Sequence, residues 1–127
     1  MYESNSIIQS KISFEIQQLM HYALLRLDKG SRPYLHDAMQ NCNYHLSVTI
    51  VNFQDSLSIQ KQIALYKTFL LRIAELWSLL GQWPKEIYLP GLEHWKKGVK
   101  QLYFDLLKEL TRKELHLIKI NSNQQLN

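Results

Sequence analysis

Five histidines, a single cysteine and a row of cations are the side chains of this 127-residue chain that offer chemistry beyond packing. Arg32–His36 and Arg112–His116 each stand one helical turn apart, so a base and an anion-holding cation would share a face. Helical ribonuclease-like domains space such a pair more widely, which puts a ribonuclease built on Arg112 and His116 third among the functional readings. His36 and His116 read instead as solvent-facing or capping residues. The di-iron bundle pattern needs a Glu three residues before a His, and no Glu here is so placed. One cysteine excludes an internal disulfide and any multi-Cys zinc site. Cys42 falls on an apolar stripe and reads as a small buried hydrophobe. There is no phosphate-cradling Gly loop, nucleophile elbow or paired-acid constellation. The expectation is no enzyme, no catalytic residue, no metal and no cofactor.

The cations are more informative. Lys+Arg total 15 against 11 Asp+Glu, a net charge of +4, and residues 92–120 hold seven basic and four acidic residues. On a helix, Lys97, Lys108, Arg112 and Lys119 fall in one narrow sector, with Gln101 between them and Lys96 and Lys100 at its flanks. Phe104 and Leu115 lie near the same sector. Pairs such as Asp105–Lys108 or Glu109–Lys113 would make this an ordinary solvated face. Repeated through an oligomer, the ladder would create a strong positive field, the electrostatic footprint expected for nucleic-acid phosphates.

Helices must position this ladder. Apolar residues recur at three and four residues almost throughout, and Gly and Pro cluster only at 30–33 and 81–91. Ile8, Ile12, Ile16, Leu19, Ala23 and Leu27 define a first helix over about 6–29, with Ser6 as N-cap and Gly30 as stop. Leu35, Ala38, Met39, Cys42, Leu46, Thr49 and Phe53 define a second over 33–55, with Ser31 before it and Pro33 in its first turn. Ile59, Ile63, Tyr66, Leu70, Ile73, Trp77 and Leu80 define a third over 57–80. Leu92, Trp95, Val99, Leu102, Leu106, Leu110 and Leu117 define a fourth over 90–120, opened by Pro90. Trp83 and Tyr88 are expected to pack over one end, and the polar tail 121–127 to fray. Matched lengths and short connections predict an all-α, antiparallel up-down-up-down four-helix bundle forming a single domain.

Apolar residues remain beyond these stripes. Phe14, Leu24 and Leu25 lie off the core stripe of the first helix, with His21 beside them. Leu65, Phe69, Leu76 and Leu79 lie off that of the third, around Arg72. Two such stripes predict an oligomer or partner interface. At 46% hydrophobic residues the chain is too apolar to be disordered. No stretch approaches the ~20 apolar residues of a membrane span, and its start shows no secretory signal. A reduced, cytoplasmic setting without membrane contact is the expectation.

Three segments resemble a known family: Leu27-Asp28-Lys29-Gly30-Ser31-Arg32-Pro33-Tyr34-Leu35 at the first junction, Leu70-Leu71-Arg72-Ile73-Ala74-Glu75-Leu76 on the third helix, and the Pro/Gly break at 84–91. Over about 12–110 the chain is similar to the accessory variability determinant proteins of diversity-generating retroelements. Their relatives are the proteins encoded in intervening sequences of 23S ribosomal RNA genes. It departs from them late in the last helix, where Leu106 to Leu110 lacks their Gly and Trp, and in its neutral Asn/Gln-rich end. The resemblance implies a ring-like homo-oligomer, a pentamer, with a basic surface. It also implies binding of a reverse transcriptase and of RNA or RNA/DNA, in support of mutagenic cDNA synthesis. Arg72 would then sit near the subunit seam, and Arg26, Lys29 and Arg32 would line one end. The alternative function is a helical interaction adaptor, or a small subunit of a larger assembly such as a defence complex, without nucleic acid.

Overall fold

In a computed structural model of the chain, residues 15–27, 30, 32–52 and 58–126 are described. They form four helices: α1 (Gln17–Arg26), α2 (Pro33–Asn52), α3 (Ile59–Gly81) and α4 (Leu92–Leu126). No strand occurs among the described residues. Phe14, Lys29, Ser6, Ser31 and Phe53 lie outside them, as do the expected ends of the first helix.

Side-chain contacts give the antiparallel order. Gln17 Nε2 on α1 donates to Ser47 Oγ on α2 at 3.4 Å. The Cys42 thiol on α2 donates to the Arg72 carbonyl on α3 at 3.5 Å. Lys113 Nζ on α4 donates to Gln62 Oε1 on α3 at 2.7 Å, while Trp77 packs on Tyr103 and Phe104 further up the same pair. A cleft lined by Glu15 and Ile16, just before α1, and by Trp95, Val99, Leu102 and Asp105 of α4 sets the start of α1 beside α4. Each helix thus flanks its neighbours in sequence, α1 closes on α4, and α2 and α4 stand at opposite corners.

The core is the inward stripe of each helix. Leu19, Met20 and Ala23 of α1, Met39, Cys42 and Leu46 of α2, Tyr66, Phe69, Ile73, Leu76 and Leu80 of α3, and Val99, Leu102, Leu106 and Leu110 of α4 are buried. Thr49 is buried among them because its hydroxyl donates to the His45 carbonyl at 2.8 Å. Buried polar groups persist only with such a partner. Ser58 caps α3, its hydroxyl accepting from the Lys61 amide at 3.3 Å.

Four expectations are corrected. Phe69 and Leu76 are fully buried, not part of an outer stripe. α3 packs between α2 and α4, so the buried arc of α3 is wider than one stripe and takes in both side chains. Tyr88 projects into solvent at 79% exposure; the 82–91 turn is instead held by buried Trp83, whose Nε1 donates to the Ile87 carbonyl at 2.8 Å, and by Leu89. His36 is mostly covered, and its Nδ1 is buried without a hydrogen bond. The polar tail does not end the last helix at 120, because α4 runs on to Leu126. α4 itself starts at Leu92, after Gly91 turns the chain at φ 72°. That left-handed conformation suits glycine.

Candidate nucleic-acid interface

α4 places its inward residues on α1 and α3 and turns the opposite sector outward. Lys97, Lys108, Arg112 and Lys119 are all exposed on that sector. Lys97, Lys108 and Lys119 make no ion pair with another described residue. They are eleven residues apart, which is three turns plus about 20° on an α-helix. The three ammonium groups therefore run almost straight along the helix, each ~16 Å from the next.

The remaining cations are committed. Arg112 Nη1 contacts Glu109 Oε1 in an i,i+3 ion pair. Lys96 Nζ reaches Glu93 Oε1 at 3.3 Å. Lys100 Nζ sits 5.8 Å from the Trp77 ring centroid, a cation–π contact. Lys113 turns toward α3, where it meets Gln62 and lies 5.2 Å from the Tyr66 ring centroid. Burial there holds its pKa below the usual lysine value, with Glu109 acting weakly the other way. Neither expected local pair forms: Asp105 accepts from Gln101 Nε2 at 2.9 Å, and Glu109 takes Arg112. The first of these choices leaves Lys108 without an acid among the described residues.

The corner between α1 and α2 is less open. Arg32 forms an ion pair with Glu86. Arg26 folds back, donating to the Tyr22 carbonyl at 3.3 Å and lying over the Tyr22 ring. Neither belongs to the free row on α4.

Of the expected interface residues, Leu25 is 67% exposed and His21 is exposed, while Leu65 and Leu79 are half-buried against the core. Arg72 is also half-buried, its Nη1 on Glu75 at 3.1 Å and its Nε buried without a hydrogen-bond partner. No group of three His, Cys, Asp or Glu able to hold a metal occurs among the described residues. Among the same residues no helix is long and apolar enough to cross a membrane.

The surface that sequence patterning missed is the outward side of α2, which carries Tyr34, Tyr44, Val48 and Val51. The signal was present in the sequence: a stretch of twenty residues, 33–52, has neither Lys nor Arg.

No protein-family model matches the chain, and no curated protein and no solved structure matches it.

Proposed function

We propose that the protein is a non-enzymatic, cytoplasmic, homo-oligomeric scaffold that binds RNA, or an RNA/DNA hybrid, along the outer face of α4. One observation carries the reading: three exposed lysines in line, none neutralised by a described acid, on the most basic helix of a +4 chain. Acids within reach of that row are already engaged by Gln101, Arg112 and Lys67. The reverse-transcriptase partner and the role in mutagenic cDNA synthesis follow from the sequence resemblance and belong to the same proposal.

Phosphate contacts of this kind give affinity through counterion release. Binding of a labelled single-stranded RNA, followed by fluorescence anisotropy over a salt series, tests it. The K97A/K108A/K119A variant is expected to bind more weakly and to flatten the log–log salt slope by about 2, at ~0.7 for each phosphate no longer neutralised. Arg112→Ala alone is expected to change the slope far less, since its guanidinium is held by Glu109. Equal affinity and slope in the triple variant would remove α4 as the binding surface. Gel filtration of the chain with a reverse transcriptase, with and without RNA, separates this scaffold from an adaptor that binds protein alone.

A further inference from the structure

The outward sector of α4 is not a row of cations alone. Phe104 and Leu115 stand in line with Lys97, Lys108 and Lys119, and all five are exposed. The order repeats every eleven residues: Lys97, Phe104 and Lys108, then Leu115 and Lys119. Each ~16 Å interval between ammonium groups therefore holds one apolar side chain, ~10 Å beyond one lysine and ~6 Å before the next. Gln101 and Thr111 complete the sector, so no acid stands in it between the outer lysines. Phe104 is 42% and Leu115 54% exposed. The Phe104 ring is also held in place. It meets Trp77 of α3 edge-on at 6.5 Å and its neighbour Tyr103 edge-on at 5.5 Å between centroids. Lys100 lies over the Trp77 ring of the same cluster.

We infer that this face binds unpaired RNA, with a base stacked on Phe104 between phosphates held by Lys97 and Lys108. The inference rests on the reading of α4 as an RNA surface and narrows it to the single strand. Charge alone does not make that choice, because a plain lysine row favours a duplex, whose phosphate charge is denser. The apolar positions decide. In a duplex or an RNA/DNA hybrid the bases are stacked inside, and the phosphates and sugars that face the row gain nothing by covering an exposed phenyl ring. A single strand offers unstacked bases between its phosphates, and an aromatic ring takes any of them, since every base has a π-face. A ring already held by Trp77 and Tyr103 loses little freedom on stacking. Leu115 gives the second interval an apolar contact without a π-face, so Phe104 is the anchor. A membrane surface does not fit the sector. A helix lying on a bilayer inserts its apolar face, and that of α4 is buried in the bundle through Val99, Leu102, Leu106 and Leu110.

Fluorescence anisotropy of one labelled RNA, single-stranded or annealed to its RNA or DNA complement, tests the inference at fixed salt. The wild type is expected to bind the single strand more tightly than either duplex. Phe104→Ala is expected to lose about tenfold in affinity for the single strand, to keep the wild-type salt slope and to bind the duplexes as before. Phe104→Tyr is expected to match the wild type. Phe104→Leu is expected to be as weak as Phe104→Ala, because it keeps apolar contact and loses the π-face. A wild type that prefers a duplex, or a Phe104→Ala variant with undiminished affinity for the single strand, overturns the inference. If K97A/K108A/K119A still weakens binding in that case, the α4 row stands and only the stacking fails; a wild type that binds no RNA removes both. Vesicles of phosphatidylserine and phosphatidylcholine that displace the single strand would assign the face to a membrane and overturn the inference as well. Should Phe104→Ala lose helicity by circular dichroism, Phe104→Tyr against Phe104→Leu decides, and equal affinity of the two overturns the stacking.

Discussion

Cys42 shows how position in the bundle sets the behaviour of one side chain. Its thiol is fully buried and donates to the Arg72 carbonyl. Burial, with Glu75 adding to it and Arg72 opposing, pushes its pKa up from 9.0 to about 12. The thiolate is the reactive form, so the native protein is expected to resist iodoacetamide at pH 8.5 until it is unfolded, as mass spectrometry of the adduct would show. The sign of the pH effect on stability follows from the same shift. Below pH 9 the thiol is protonated in both states and the stabilising difference is complete. Above that, the unfolded chain releases the proton while the folded one keeps it, so stability is lost as pH rises from about 9 toward 12. Cys42→Ala is expected to leave a cavity and lower the melting temperature at pH 8, yet to lose less further stability between pH 9 and 11 than the wild type. Paired thermal melts at pH 8, 9 and 11 check both parts. Lys113 works in the opposite direction. Its lowered pKa means that the charged form is disfavoured on folding, so Lys113 contributes more stability as pH rises through its folded value toward 10.5.

The helices themselves offer two substitutions whose signs are fixed by local geometry. Gly98 lies inside α4, and a Cβ built there meets nothing within 4 Å. Gly98→Ala should therefore stabilise by roughly 0.5–1 kcal/mol through lower unfolded-state entropy and better helix propensity, read as a higher urea midpoint with the same slope. Ser58→Ala removes the α3 cap to Lys61 and should destabilise by about 1 kcal/mol in the same assay. The element boundaries were largely legible in the sequence, because Pro33, Gly81 and the Pro90-Gly91 pair interrupt otherwise regular apolar spacing. The division of α3 into inside and outside was not. Periodicity finds the centre of a stripe, but Phe69 and Leu76 sit at its edge. Whether an edge position is buried depends on how many neighbours the helix has. The free lysines were half legible. Their common sector follows from spacing alone, whereas the choice of Glu109 for Arg112 rather than Lys113, and of Asp105 for Gln101, is made by side-chain reach and by the pull of α3 on Lys113.

At the scale of the whole molecule, α4 is the outlier. It spans 35 residues against 23 for α3, about 52 Å against 35 Å at 1.5 Å per residue. Gln62–Lys113 and Lys67–Glu114 fix their register, so the start of α3 lies roughly level with Ile118 and the last two turns of α4 project beyond it. Lys119 stands where that projection begins. Charge reversal there, Lys119→Glu, is expected to weaken RNA binding while leaving the melting temperature within about 0.5 kcal/mol equivalent of wild type, since the Lys119 ammonium pairs with no described acid. Anisotropy titration and a thermal melt on the same sample separate the two effects.

The opposite-corner placement of α2 and α4 has a consequence for stoichiometry. Helix α2 carries no lysine or arginine, so an RNA held on the α4 row meets no second basic row across the molecule, and each chain is expected to take up one short oligonucleotide. Isothermal titration with a short RNA would read that stoichiometry.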